Sequence, residues 1–394
     1  MSEKRLRVLA LFASLCLFFS ILELMIPKPI PFFRLGLANL PLLPALLLLS
    51  TPDFFIVVLL KVLGQAVVSG TLLSYVFIFS AAGSIAGALV MLLLKRLHGR
   101  WITLVGIGVA GALSSNLVQL AVSWFLIFGE STRLIAPLFL VMGTITGLVL
   151  GAAAEAIRSG SRWFRELDGG VDADSEGVSP SRAFSSALPA SSDPVPLFRF
   201  AVGILMIPPF LLQTDIAVKG LQLAVCVLAS ISAGRKFRPA PGIIVFSAVV
   251  GAHLLMPFGE VLLRVFDFPV TAGALKAGAE KGISLVGLVF ISRFAVSKEL
   301  RIPGVPGKLL YSVLYFFEEL TAFRPEKKQK GAGLKDYFRG LLKELDEFLI
   351  VKTRSPIEDI KDGEAVKKPA PLLFAPLFTA SLLLILQWSL YFFL

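Results

Sequence analysis

Apolar stretches of about twenty residues recur along this chain, and their spacing limits the fold more than any other feature. A membrane-crossing helix needs ~20 mostly apolar residues, with a range of about 17–25. Such runs lie near 6–26, 54–70, 74–94, 101–128 and 134–157, and again near 197–213, 216–233, 242–258, 282–296 and 372–394. The run 101–128 suits one tilted helix or a helix bent near Gly111. Segment 35–49 is short and carries Pro41 and Pro44, so it reads as a broken or re-entrant helix. Hydrophobic residues make up 56% and charged residues 16% of the 394, against ~45–50% and ~25% in soluble domains. The fold class is therefore all-α, a polytopic membrane protein with about ten or eleven crossings. A soluble enzyme, a disordered protein and a disulfide scaffold are excluded.

The net charge of +11 follows the loops, so it points to a membrane orientation and not to nucleic acid. Lys4, Arg5 and Arg7 place the N-terminus in the cytoplasm. Lys95, Arg96 and Arg100, then Arg158, Arg162 and Arg165, then Arg235, Lys236 and Arg238 fall in the inside loops that this orientation requires. The outside loops hold only Lys28, Arg34, Arg133, Arg264, Lys276 and Lys281. The implied location is the cytoplasmic (inner) membrane. Residues 1–26 have a basic start and an apolar run, but no A-x-A-like site follows, and they read as an uncleaved first span.

Two stretches break the pattern. Residues 159–196, rich in Ser, Asp, Gly and Pro, read as a disordered cytoplasmic linker. They divide a domain at 1–158 from one at 197–394. Residues 298–368 form a cytoplasmic region. Within it Leu309, Leu310, Val313, Leu314, Phe317 and Leu320 recur at helical spacing, as do Leu334, Tyr337, Phe338, Leu341, Leu342, Leu345 and Phe348. These are amphipathic helices, either lying on the inner leaflet or forming a docking platform for a cytoplasmic partner. The run 372–394 is a C-terminal anchor.

Catalytic signatures are missing. Gly106-Ile-Gly-Val-Ala-Gly111 fits G-x-G-x-x-G but lies inside a span, where a dinucleotide site cannot form. Gly83/Gly87 and Gly143/Gly147/Gly151 are small-residue ridges suited to close helix packing. Gly304-Val-Pro-Gly-Lys308 lacks the Walker A spacing. There is no aspartate-rich cluster for magnesium diphosphate, no HExxH, no GxSxG and no CxxC. Cys16 and Cys226 sit in separate apolar runs, and His253 is a core group in a span. No catalytic residue, metal site or cofactor is assigned.

Polar residues at membrane depth carry the functional signal, because each is costly in hydrocarbon and turns toward a bundle interior or cavity. Glu23 ends the first span. Arg34 and Asn39 bracket the segment RLGLAN. Lys61 and Gln65 are one helical turn apart, and Asn116 and Gln119 are three apart, so each pair shares a helix face. Together Glu23, Arg34, Asn39, Lys61, Gln65, Asn116 and Gln119 can line a polar pocket, or the amides can act as interhelical glue at ~0.6–2 kcal/mol each. Glu23 is the nearest partner for Lys61 by depth. Lys219, Gln222, Glu260 and Glu280 lie near span ends, where snorkelling accounts for them.

Three motifs carry a family resemblance. They are the run Glu23-Leu-Met-Ile-Pro27-Lys-Pro-Ile-Pro31-Phe-Phe-Arg34-Leu-Gly36-Leu-Ala38-Asn39, then Phe79-Ser80-Ala-Ala-Gly83, and Gly111-Ala-Leu-Ser-Ser-Asn116-Leu-Val-Gln119. Residues 6–158 thereby resemble the Gx transporter family, also labelled heptaprenyl diphosphate synthase component I. That family looks like the six-helix substrate-binding (S) subunits of energy-coupling factor importers. Arg34 stands where a Lys is usual and keeps the charge. Ser115 stands where a His is usual, so any role of that His is absent or altered.

Residues 197–325 resemble the transmembrane coupling (T) subunits of the same importers. The carriers are Ser232-Ala-Gly-Arg235, Met256-Pro-Phe-Gly259-Glu, Ile291-Ser-Arg293-Phe-Ala-Val-Ser297 and the stretch after Pro306. The two resemblances imply an S-component-like bundle followed by a T-component-like helical domain. Arg235, Arg293 and Arg324 become the coupling candidates. The implied partners are cytoplasmic ATP-binding cassette ATPase subunits, a small-molecule ligand, anionic on the charge of Arg34 and Lys61, and membrane lipid. The label component I implies a second function, as membrane partner of polyprenyl diphosphate synthesis, with catalysis supplied by another chain.

Overall fold

A computed structural model describes residues 3–25, 36–168, 194–265, 268–297, 305–322, 334–354 and 374–393. These form an all-α polytopic membrane protein with one small hairpin. The first bundle comprises α1 (Glu3–Met25), α2 (Leu42–Leu48), α3 (Thr51–Ser69), α4 (Tyr75–Lys95), α5 (Leu104–Ser123) and α6 (Thr132–Gly160). Six apolar helical stretches are long enough to cross a membrane, and one of them, Leu104–Gly160, holds both α5 and α6.

Local chemistry sets the helix ends. Ser50 precedes α3 and its Oγ accepts from the Asp53 N–H, relieving one orphan donor of the first turn. Gly70 closes α3 at φ 64°, a conformation that costs a glycine little. The segment around Pro41 and Pro44 is broken: a 3-10 turn at Leu37–Asn39 precedes the seven residues of α2. Seven residues rise ~10 Å, against a hydrocarbon core of ~30 Å, so α2 covers only part of the depth; Arg5 near the start of α1 still pairs with Asp53 at the start of α3 at 2.7 Å, so these two helices start on the same side.

Between lipid-immersed helices no hydrophobic force operates, so packing depends on close backbone approach. The glycine ridges supply it. A Cβ on Gly147 would lie 2.7 Å from the Val109 Cα, and one on Gly151 would lie 2.5 Å from the Val105 Cα. The ridge of α6 thus rests on the backbone of α5. The G-x-G-x-x-G run packs in the same way, with Gly108 against Gly147 and Gly151, and Gly111 against Met91.

The second bundle comprises α8 (Pro194–Leu212), α9 (Ile216–Ser232), α10 (Pro239–Leu254), α11 (Ala272–Ala295) and α14 (Phe374–Phe393), introduced after α7 (Arg162–Asp168). Two boundaries differ from the sequence expectation. The run 242–258 stops as a helix at Leu254 and gives way to an antiparallel hairpin, β1 (Val261–Val265) with β2 (Phe268–Thr271). Helix α11 begins ten residues before the apolar run 282–296, because Ala-rich sequence around Lys276 and Glu280 is strongly helix-forming without being apolar. That early start alters the reading of Lys219. Its side chain is 2% exposed and lies 3.7 Å from Glu280, and Gln222 is fully buried. These groups are interior and do not snorkel.

The region between the bundles also differs. Segment 161–168 is not linker: α7 buries Trp163, Phe164 and Leu167, with the Trp163 and Phe12 rings 5.0 Å apart. Residues 159–160 close α6 and 194–196 open α8, and the rest of the expected linker, 169–193, lies outside the described residues. The amphipathic helices α12 (Val305–Ala322) and α13 (Leu334–Arg354) do not lie apart on a leaflet. Helix α12 packs along α1 and α3, burying Leu309, Val313, Phe316, Phe317 and Leu320 in the core that holds Leu9, Phe12 and Phe54. Its apolar stripe finds protein partners, so α1 is the most enclosed span, 72% buried, against 22% for the α5–α6 stretch.

One end of the first bundle meets the flank of the second. The Leu73 N–H donates to Ser292 Oγ at 3.0 Å, and a Cβ on Gly70 would lie 3.8 Å from the Arg293 Cα. Tyr75 and Phe128, from that same end, share a cluster with Leu285, Val249 and Ala252. The contacts on α11 run from Leu285 to Arg293, about 12 Å along its axis.

Candidate functional site

Helices α1 to α6 enclose a polar cavity of about 60 Å³ in the first bundle. At roughly 10–15 Å³ per water on this measure, it has room for several water-sized groups. Six of the seven expected pocket residues, Glu23, Asn39, Lys61, Gln65, Asn116 and Gln119, line it. The seventh, Arg34, lies outside the described residues.

Each group is held by its element. Gly36 adopts φ 77° and starts the 3-10 turn, which lets the Leu37 N–H donate to Glu23 Oε2 at 2.9 Å and turns Asn39 inward. Lys61 is 3% exposed. Its ammonium donates to Asn39 Oδ1 and, at 3.4 Å, to Ser84 Oγ. A buried cation needs such partners to offset its desolvation. Ser80 donates to Gln65 Oε1 at 3.3 Å, and Gln119 donates to Ser115 Oγ at 2.9 Å. Asn116 donates to the Phe139 carbonyl at 2.8 Å, so it joins α5 to α6 while also facing the cavity. Glue and lining coexist in this one residue.

Two glycines leave room for the amides that line the cavity. A Cβ on Gly83 would lie 2.5 Å from Gln119 Nε2, and one on Gly143 would lie 2.2 Å from Asn116 Nδ2. Sequence reasoning missed Ser80, Ser84 and Thr146, which also line the cavity. The signals were the i, i+4 spacing of Ser80 and Ser84 and the place of Ser80 in the Phe79–Gly83 motif. The lining offers hydrogen-bond donors and acceptors of both charges.

The coupling candidates sit elsewhere. Arg235 donates to the carbonyls of Arg293 at 3.3 Å and Val296 at 2.6 Å, satisfying orphan acceptors at the C-terminal end of α11. Arg293 lies beside it, and both approach Gly70 of the first bundle. Arg324 lies outside the described residues.

Residues 12–157 match the family model described as heptaprenyl diphosphate synthase component I, a span that contains every described lining residue of the cavity. Residues 195–298 match a domain of unknown function, DUF8519. No curated protein and no solved structure matches.

Proposed function

We propose that this chain is the membrane component of an energy-coupling factor-type importer, with the first bundle holding a small molecule and the second coupling it to separate ATPases. The observation that carries the reading is the cavity: charged and amide side chains from several helices converge on open space inside an otherwise apolar bundle. Such groups are costly in a membrane and mark solute pathways.

The placement of the two bundles supports a mechanism. By the positive-inside reading, the Gly70–Tyr75 end of the first bundle is its outer end, and the Arg235–Arg293 end of the second is cytoplasmic. With both bundles upright these ends would stand ~30 Å apart, on opposite membrane faces. They touch. In this reading the first bundle lies tipped against the second, with α12 beneath α1 as the element that transmits ATPase motion. Alternating access then consists of righting and tipping that bundle. A ligand drives it only by binding the two positions differently. The T-component likeness of the second domain belongs to the proposal. The family match alone would point to polyprenyl diphosphate synthesis, but the sequence has no aspartate-rich cluster to hold a diphosphate.

The test is purification of the tagged full chain from its host in mild detergent. Stoichiometric recovery of ATP-binding cassette subunits is expected. Recovery of a prenyl synthase instead, with no ATPase, would overturn the importer.

A further inference from the structure

We infer that the β1–β2 hairpin is an interfacial membrane anchor, whose apolar side chains enter the lipid just below the headgroups and complete the span that α10 leaves short. The inference is independent of the cavity and of the importer reading.

Length carries the argument first. Helix α10 runs from Pro239 to Leu254, 16 residues, so it rises ~24 Å. The hydrocarbon core is ~30 Å thick, so about 6 Å of apolar depth is missing at one end. A short span either thins the bilayer, at a cost, or draws on its flanks. Ile243 and Ile244 are 60% and 51% exposed, and Val249 and Ala252 are the buried residues of this helix, so much of its surface faces lipid. That surface does not stop where the helix stops. Leu255, Phe258, Val261, Leu262 and Leu263 follow, each about half exposed.

The hairpin is pinned at its base. The Ala272 N–H donates to the Glu260 carbonyl at 2.8 Å, and the Phe258 N–H donates to Thr271 Oγ1 at 3.1 Å. Beyond that base the described chain leaves it open. Three consecutive strand residues cannot all point one way, yet Val261, Leu262 and Leu263 are all exposed, so neither face is covered. A docked protein covers one face, whereas a leaflet receives apolar side chains from both. In water, an apolar strand with an unpaired edge would invite aggregation.

The backbone sets the depth. A two-stranded hairpin keeps open edges, whose N–H and C=O groups need water, so the strands cannot sink into the hydrocarbon. Interfacial elements enter the headgroup–acyl boundary by about 5–10 Å, which covers the missing depth. Arg264, exposed beside the leucines, is the residue type that lays its stem along apolar surface and keeps its charge among phosphates.

The test uses the full chain with Cys16 and Cys226 replaced by Ala, in phosphatidylcholine nanodiscs. A fluorophore is attached to a single cysteine, L262C or L263C, read separately so that one misfolded variant leaves the other. G160C, with open space around its Cβ, is the water-exposed comparison. Iodide is expected to quench the hairpin labels at least threefold less than the G160C label. Lipids with a nitroxide near the headgroup are expected to quench them at least twofold more than lipids with one near the chain end. Iodide quenching equal to that of G160C overturns the anchor, since the hairpin then stands in water. Protection from iodide and from both lipids overturns it too, since protein then covers the hairpin. Stronger quenching by the deep nitroxide overturns the interfacial depth.

Discussion

Asp346 of α13 accepts a hydrogen bond from the backbone N–H of Arg162 at 2.7 Å, although 184 residues of sequence separate the two. Its other carboxylate oxygen accepts from Ser161 Oγ, and nearby Trp163 Nε1 donates to Thr353 Oγ1 at 2.9 Å. The free N–H groups at the start of α7 are thus satisfied by a helix from the far end of the chain. This clasp ties the close of the first bundle to the amphipathic region.

Replacing Asp346 with Ala removes that cap and leaves first-turn donors without an acceptor, at a cost of about 1–2 kcal/mol. The thermal unfolding midpoint should fall, and trypsin should cut faster at Arg162 and Arg165. D346N keeps one acceptor oxygen and should fall between. An unchanged midpoint and an unchanged cutting rate for D346A would show that the clasp holds nothing.

Gln387 on α14 is fully buried, and among the described residues both polar atoms of its side-chain amide lack a hydrogen-bond partner. Its backbone carbonyl accepts from Gln222 at 3.3 Å, and that bond does not need the side chain. Q387M therefore removes a buried polar group without breaking a bond. Stability should hold or rise by about 1–2 kcal/mol, read as an equal or higher midpoint. A drop of several degrees would mean that the amide has a partner, such as a buried water.

The glycines separate into two kinds. At Gly147 and Gly151 an added methyl meets backbone, at 2.7 Å and 2.5 Å, and backbone cannot step aside. G147A and G151A should destabilise by about 1–3 kcal/mol or more. At Gly83 and Gly143 the methyl meets the ends of Gln119 and Asn116, which can rotate away. G83A and G143A should cost less stability but disturb the cavity. Unfolding midpoints and solute binding measured on the four variants distinguish the two patterns. Equal stability losses at all four would refute the distinction.

The contact between Leu73 and Ser292 offers a lock. With Cys16 and Cys226, both buried and free, replaced by Ala, the pair L73C/S292C should cross-link on mild oxidation. If the first bundle tips during transport, the linked protein with its ATPases should lose solute uptake and regain it on reduction. Full uptake by the linked form would rule out a cycle that separates these ends.

Much of the first bundle was legible in sequence, because length and hydropathy fix a membrane helix with little help from tertiary context. The polar residues were legible for the same reason: Lys61, Asn116 and Gln119 stand out against an apolar run, and helical spacing puts them on common faces. What escaped was decided by contacts distant in sequence. Asp346 looks like any surface acid until α7 is seen beside it. Trp163 and Phe164 sit at the edge of a polar stretch, and only their packing on Phe12 marks them as core. The amphipathic stripe of α12 announced that it would be covered, but not that α1 would cover it. The start of α11 was missed because helix propensity, and not hydropathy, extends that helix through Lys276 and Glu280.

The most direct measurement is high-resolution electron cryomicroscopy of the full chain, purified from its own host and placed in nanodiscs, alongside the K61M/N116L variant. A solute site requires density for a non-protein molecule within hydrogen-bond reach of Lys61 and Asn116, lost in the variant. A cavity that holds water alone in both proteins, or that closes on its own side chains, would contradict it.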